Sequence, residues 1–316
     1  MSQIPTLNIQ DFLSSDSRRR ADFVVHLGRA YQDIGFVVIR GHAVSDELQR
    51  RSYEKIGAFF SLPDSVKRSF EIPGIGGARG YTTFGREHAK DTPVGDLKEF
   101  FHVGADVPPS HPLAREYPAN VSVPEVEGFD QTLRELYSSL LNLGTDMLRA
   151  IALFLEIREN YFDDYVGYGN SILRPIRYPP LTGREDPRAV RSSAHEDINL
   201  ITLLIGASAP GLEVKNRKGE WVGVVTKPHE IVVNVGDMLQ RLTNYRLIST
   251  THRVVNPPPQ ESFASTRFSI PFFLHPVSSM SLKALPTCVG PSHPQKDPDT
   301  TAGEYLDQRL KEIGLA

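Results

Sequence analysis

Near the middle of the chain, Ser192 to Leu204 reads SSAHEDINLITLL, a histidine and two acids that run straight into an apolar segment. A zinc-protease helix would need a second histidine three residues after the acid. Position 199 is asparagine, and the residues that follow suit a strand, so that reading fails. On a strand, side chains alternate between faces. His195 and Asp197 then share one face and Glu196 points to the other. A histidine and a carboxylate at i and i+2 can reach one metal ion. The same pair also occurs at ordinary strand ends, so a third ligand has to decide.

Among ten histidines the best placed is His252, in the strand-like STTHRVVN, with several strands between it and His195. Two histidines and one carboxylate on adjacent strands are the facial ligand set of non-haem Fe(II) sites, with three positions left for substrate and O₂. Taken alone, His252 reads equally as a histidine at a barrel mouth, bonded to its neighbours. Farther on, TRFSIPFF places Arg267 and Ser269 on one face of a strand. A guanidinium grips a carboxylate with two parallel hydrogen bonds, and a hydroxyl adds a third. An inward arginine in an apolar strand is costly without an anion. That anion is a ligand or an acid of the chain, and the residues alone leave both open. His42, His229 and His275 read as structural, and Cys288, in the loop-like PTCVGP, receives no role.

These residues need elements to hold them. IPTLNI reads as a strand, Arg20 to Ile34 as an amphipathic helix, and Gly35 to His42 as a second strand. Ser45 is placed to cap a helix running to Phe60. Residues 73 to 124 are rich in Gly and Pro and read as irregular loops. A long helix is expected from Glu125 to Leu155, with Gly144 as its weak point. After about residue 170, short β-branched and aromatic runs recur between Pro, Gly and Asn: SILRPIRY, NLITLLIG, GLEV, WVGVV, EIVVNVGDML, RLISTTHRVVN and RFSIPFFLHP. That texture indicates a sandwich or barrel. AGEYLDQRLKEI reads as a final amphipathic helix. Three parts are expected: a mostly helical region 1–165, a β core 166–280 and an extension 281–316 with a helix.

The bulk properties exclude several classes. Of 316 residues, 40% are hydrophobic and 23% charged, as in ordinary globular chains, and a net charge of −3 with no basic block argues against nucleic acid or an anionic membrane as partner. A single cysteine excludes a disulfide framework and a cysteine zinc site. The first residues lack the pattern of a signal peptide, and no apolar run approaches the length of a membrane span. A cytoplasmic protein, monomeric by default, acting on a small molecule is the expectation.

HxD, the distal His-Arg-Val and RxS occur here in an order that resembles the isopenicillin N synthase-like branch of the iron(II)/2-oxoglutarate-dependent oxygenases. YQDIGFVVIRGHAV, GYTTFGREH with DLKEFFHVG, ILRPIRYPP, PGLEV, IVVNVGDMLQRLTN and RFSIPFFLHP extend the resemblance over nearly the whole chain. The resemblance implies a mainly β fold with flanking helices around a double-stranded β-helix, or jelly roll. It implies His195, Asp197 and His252 as ligands of Fe(II), and Arg267, Ser269 and Tyr178 as residues that bind 2-oxoglutarate. It also implies Tyr81, Phe84, Arg86, His88, Phe100 and His102 at the substrate mouth, and Tyr245 as bulk that shapes access. Thr243 and Asn244 are expected to orient the imidazoles. The chain departs from the family at Ile176, where the pattern has Asn, and at Tyr245, where Thr-Asn-Gly usually stands. PPPQESFAS reads as a hairpin-loop insertion.

The reaction implied is oxidation of a substrate C–H bond by O₂, with 2-oxoglutarate giving succinate and CO₂. Hydroxylation and desaturation both fit. An ethylene- and succinate-forming activity, an oxidase that uses no 2-oxoglutarate, and a jelly-roll binding module without turnover are the competing expectations.

Overall fold

The computed structural model describes residues 4–75, 77–88, 94–206, 210–258 and 266–312. Most of the PPPQESFAS segment lies outside the described residues. Short strand β1 (Thr6–Asn8) runs parallel to β2 (Phe36–Arg40), with helices α1 (Ile9–Phe12) and α2 (Ser17–Asp33) between them. Helix α3 (Asp46–Phe60) starts where its cap requires, the Ser45 hydroxyl accepting the Leu48 amide at 3.2 Å. The short α4 (Asp64–Arg68) follows. The segment expected to be irregular carries two strands, β3 (Gly80–Thr82) and β4 (Glu99–Gly104). The long helix α5 (Phe129–Phe154) begins after Gly128, at φ 75°, and α6 (Asp163–Val166) follows it.

The remaining strands are β5 (Ile172–Leu173), β6 (Ile176–Tyr178), β7 (Ser192–His195), β8 (Ile201–Ile205), β9 (Leu212–Lys215), β10 (Trp221–Gly223), β11 (Ile231–Val235), β12 (His252–Val254) and β13 (Arg267–Leu274). The run EIVVNVGDML divides: β11 ends at Val235, and Gly236 opens a short helix, α7 (Asp237–Leu242). A final helix, α8 (Ala302–Glu312), is where its spacing put it.

Among the described residues, nine strands form one sheet in the order β1-β2-β11-β8-β13-β5-β4-β3, with β6 pairing β13 and β4. Four strands form a second sheet, β10-β9-β12-β7. The large sheet draws β1 to β4 from the first 165 residues. Strand alternation divides its side chains between two environments. Ile231, Val233 and Val235 of β11, Ile201, Leu203 and Ile205 of β8, and Ile270, Phe272 and Leu274 of β13 join the main core with α2, α3 and α5. The opposite face meets the small sheet: Phe36 and Val232 pack on Val214, and Phe100, Ile176 and Tyr178 on Val254. This is the jelly-roll core with flanking helices. Gly144, expected as a weak point of α5, packs tightly against the sheet, since a Cβ there would fall 2.3 Å from Leu274 Cδ1.

Candidate active site

A cavity of about 1220 Å³ lies between the two sheets. Its lining follows directly from period-2 geometry. Strand β13 and the residue after it send Arg267, Ser269, Pro271, Phe273 and His275 inward; the β5–β6 stretch sends Asn170, Ile172, Arg174, Ile176 and Tyr178. His195 ends β7 and His252 begins β12. These two strands are antiparallel neighbours, with His195 and His252 directly paired. Their rings lie 4.4 Å apart, and the edge of Phe36 closes on His252 at 5.6 Å.

Asp197 reaches the same point by a different route from the one its spacing suggested. Strand β7 stops at His195, so Asp197 sits in the loop that follows. That loop is held by the start of α7. The amide of Gly236 bonds Leu200 O at 2.9 Å, that of Asp237 bonds Asp197 O at 2.7 Å, and that of Met238 bonds Ile198 O at 3.1 Å. Amides of a first helical turn have no partner within their own helix, so they are free to hold the loop. The Asp197 carboxylate, 5% exposed, accepts the Thr202 hydroxyl at 2.6 Å and the Asn234 amide at 2.8 Å, both on Oδ2. Burial alone would raise its pKa, but the two histidines and these two hydrogen bonds outweigh burial and hold it below the usual value. Glu196, expected on the opposite face, is itself among the residues that line the cavity, and it accepts the Thr251 hydroxyl at 2.6 Å.

The geometry fits a metal ion. Asp197 Oδ1 is 3.8 Å from His195 Nε2 and 3.7 Å from His252 Nε2, too far for hydrogen bonds, and the three ligand atoms lie within 4.8 Å of one another. Donors roughly 2.1 Å from a shared cation would stand about 3.0 to 4.2 Å apart. Both Nδ1 atoms bond backbone carbonyls, His195 to Ser193 O at 2.7 Å and His252 to Thr250 O at 3.1 Å. Nδ1 therefore carries the proton, and each Nε2 lone pair is left for a cation. Burial and then the adjacent His252 lower the His195 pKa; its side chain keeps 38% exposure, so the shift falls short of what full enclosure would give, but the direction favours the neutral ligand form.

On the same wall Arg267, 1% exposed, lies under the Tyr178 ring with its Cζ 4.9 Å from the ring centroid, and Arg267 and Tyr178 are cross-strand partners. Ser269 pairs with Ile176 one step along.

The protein matches two family models, the N-terminal model of the non-haem dioxygenases in morphine synthesis over residues 4–125 and the 2OG-Fe(II) oxygenase superfamily over residues 160–276. It is 30% identical to a 2-oxoglutarate-Fe(II) type oxidoreductase, hxnY, of Emericella nidulans, over 98% of this chain and 89% of that one. Among solved structures, a 2OG-Fe(II) oxygenase family protein of Caulobacter crescentus shares 40% identity over 99% of this chain and 100% of that one, with a TM-score of 0.88. The chain belongs to the 2OG-Fe(II) oxygenase superfamily. A full-length Neurospora crassa protein, crystallised with alpha-KG and thymine, is 30% identical over 98% of this chain and 96% of its own, with a TM-score of 0.85. The oxygenase is thus an Fe(II)- and 2-oxoglutarate-dependent dioxygenase that uses O₂ to oxidise a small molecule.

Several of the oxygenase's expected residues fall elsewhere. Arg86, His88 and His102 line the cavity, whereas Tyr81, Phe84 and Tyr245 are not among its lining residues. Tyr81 is buried in the core, its hydroxyl bonded to Glu99. Phe84 is 43% exposed on a turn. Phe100 lies beneath the Arg174 guanidinium rather than at the mouth. Tyr245 sits just beyond α7 at φ 65°, a left-handed position that suits the family's glycine, and its ring faces Lys296 at 4.5 Å. Thr243 and Asn244 do not touch the imidazoles: Thr243 bonds Leu239 O, and Asn244 bonds Cys288 O and Pro294 O, fastening the C-terminal segment. The groups that orient His195, Asp197 and His252 are Asn234, Thr202 and the carbonyls of Ser193 and Thr250. Asn234 was legible in principle, as a lone amide on the inward face of IVVNV. His229, set aside as structural, pairs with Asp46 at the surface, and His275, set aside likewise, lines the cavity.

Proposed function

We propose that His195, Asp197 and His252 ligate Fe(II), and that Arg267, Ser269 and Tyr178 hold the distal carboxylate of 2-oxoglutarate. The observation that carries this reading is the convergence of three donor atoms, from two imidazoles and one carboxylate, in one cavity with a buried arginine. Bound there, the iron supplies redox chemistry with O₂ and 2-oxoglutarate, and the product is a hydroxylated or desaturated small molecule with succinate and CO₂. The chain's own part is positional. Thr202 and Asn234 keep Oδ2 of Asp197 engaged so that Oδ1 faces the two Nε2 atoms. Tyr178 covers one face of the Arg267 guanidinium, so that its edge meets an anion. Phe36, Leu204 and Val254 line the same space with apolar surface and limit water. Arg86 and His88 stand where substrate enters.

The proposal extends to a monomer in the cytoplasm, with no nucleic-acid or membrane partner; among the described residues no helix is long and apolar enough to cross a membrane. It divides the chain into 1–165, 166–280 and 281–316, of which the first two contribute strands to one large sheet and the third contains helix α8. An anaerobic titration of Fe(II)-loaded protein with 2-oxoglutarate tests the site. The visible iron-to-keto-acid charge-transfer band should form, vanish in His195→Ala and need higher 2-oxoglutarate in Arg267→Ala. Iron binding with no band would overturn the cosubstrate assignment.

A further inference from the structure

The cavity has a second polar wall, and its chemistry bears on the substrate. The guanidinium of Arg174 lies between two aromatic rings, its Cζ 4.4 Å from the Phe100 centroid and 5.0 Å from that of Phe273. With both faces covered, only its edge can meet a ligand. On that edge Nε donates to His102 Nε2 at 2.5 Å, and Nη1 donates to Glu87 at 3.1 and 3.2 Å. Nη2 is the donor that no described residue engages.

The charge on this wall is already balanced. Glu87 also accepts from Lys98 Nζ at 2.8 Å, and Lys98 Nζ donates to Asp96 at 2.8 Å as well. Two cations and two anions stand together, each 16% exposed or less. An anionic ligand here would bring a charge with no counterpart into a low-dielectric wall, at a desolvation cost. A neutral oxygen acceptor would take the Nη2 bond without that cost. His275 closes the other side: it is 8% exposed, and its Nδ1 has no partner among the described residues. Burial lowers its pKa to about 4, so at neutral pH the ring is uncharged. Ile172, Pro271 and Phe273 supply apolar surface between these groups.

We infer that the substrate is an uncharged molecule bearing a carbonyl or amide, whose oxygen accepts a hydrogen bond from Arg174 Nη2 and whose second polar group meets His275, with its apolar part against Phe273. The inference deepens the functional reading above and rests on it for the position of the oxidised carbon. Arg174 and His275 are specificity-determining residues in this scheme, and Glu87 sets the charge class.

The test is calorimetry under anaerobic conditions on the Fe(II)·2-oxoglutarate protein, with two matched probe pairs: benzamide against benzoate and nicotinamide against nicotinate. Each amide should bind at least about tenfold more tightly than its acid. Arg174→Lys keeps the charge but loses the planar edge, and should weaken amide binding about tenfold while the 2-oxoglutarate titration is retained. Glu87→Gln should narrow or reverse the preference within each pair. If either buried-charge variant fails to fold, His275→Gln leaves that network whole and should weaken the amides severalfold. Carboxylates binding as tightly as amides, or neither probe of either pair binding, would overturn the inference. The charge-transfer band is recorded before any probe is added. Its absence would sink the functional reading instead, and the preference within each pair would still decide this one.

Discussion

Asp197 differs from the two histidines in what restrains it. Each imidazole is turned by one backbone carbonyl two residues earlier in the chain, whereas the carboxylate depends on two side chains, Thr202 and Asn234. Partners that orient a metal ligand are worth about 10- to 100-fold in metal affinity. Asn234→Ala is therefore expected to weaken Fe(II) binding by that order in a chelator-competition titration, with the fold intact by circular dichroism. An affinity equal to that of the parent would show that the loop backbone alone positions the carboxylate. A second residue-scale expectation concerns acid. His275 is held neutral down to about pH 4, while in the unfolded chain it takes a proton near 6.5. Between those values the unfolded state binds more protons, so stability falls as pH falls, by up to about 3 kcal/mol for this group. His102, also lowered by burial, acts in the same direction. His275→Phe should flatten the decline in melting temperature between pH 6.5 and 4; an unchanged slope would refute the assignment.

At the scale of elements, short pieces of backbone do the positioning. The turn from β11 into α7 brings Gly236 so close to the Asp197 loop that a Cβ would fall 2.2 Å from Asn199 O. The atom in the way is backbone and cannot swing aside. Gly236→Ala should cost about 1–3 kcal/mol by denaturant unfolding and weaken the charge-transfer band along with it. A loss of stability with normal iron affinity would show that the loop and the helix start are independent. The elements also explain what could be read without coordinates. Alternation along β13 located Arg267 and Ser269, and the same count continued to Phe273 and His275 would have found the second wall. On its own, a histidine before a proline at a strand end reads as structural. HxD pointed to a pair that does converge, but through an imperfect premise, since β7 ends before Asp197. The start of α7 was hidden inside EIVVNVGDML because a five-residue strand, four of its residues apolar, runs into a helix with only a glycine between. Tyr81 and Phe84 lie on or beside β3, a strand that loop-like composition concealed, and neither faces the cavity.

At the scale of the molecule, the ligand set is divided between the two sheets. His195 and His252 stand on the small sheet, while Asp197 is tied through Thr202 to β8 and through Asn234 to β11 of the large one. A cation held by all three fastens one sheet to the other. Iron added in excess should raise the melting temperature, as any ligand of the native state does, and chelation should lower it. Hydrogen exchange distinguishes this from a local effect: on chelation the amides of β9 and β12 should exchange faster, while α5 stays protected. Faster exchange confined to residues 193–199 would refute the division.

That division has a mechanical side. The space between the sheets is the candidate reaction chamber, and a metal held by the three proposed ligands would be its bolt. Without the bolt the two plates would be freer to breathe, and the chamber would change width. An empty protein and a loaded one would then admit different guests, and a ligand screen run on metal-free protein would be measuring a different vessel.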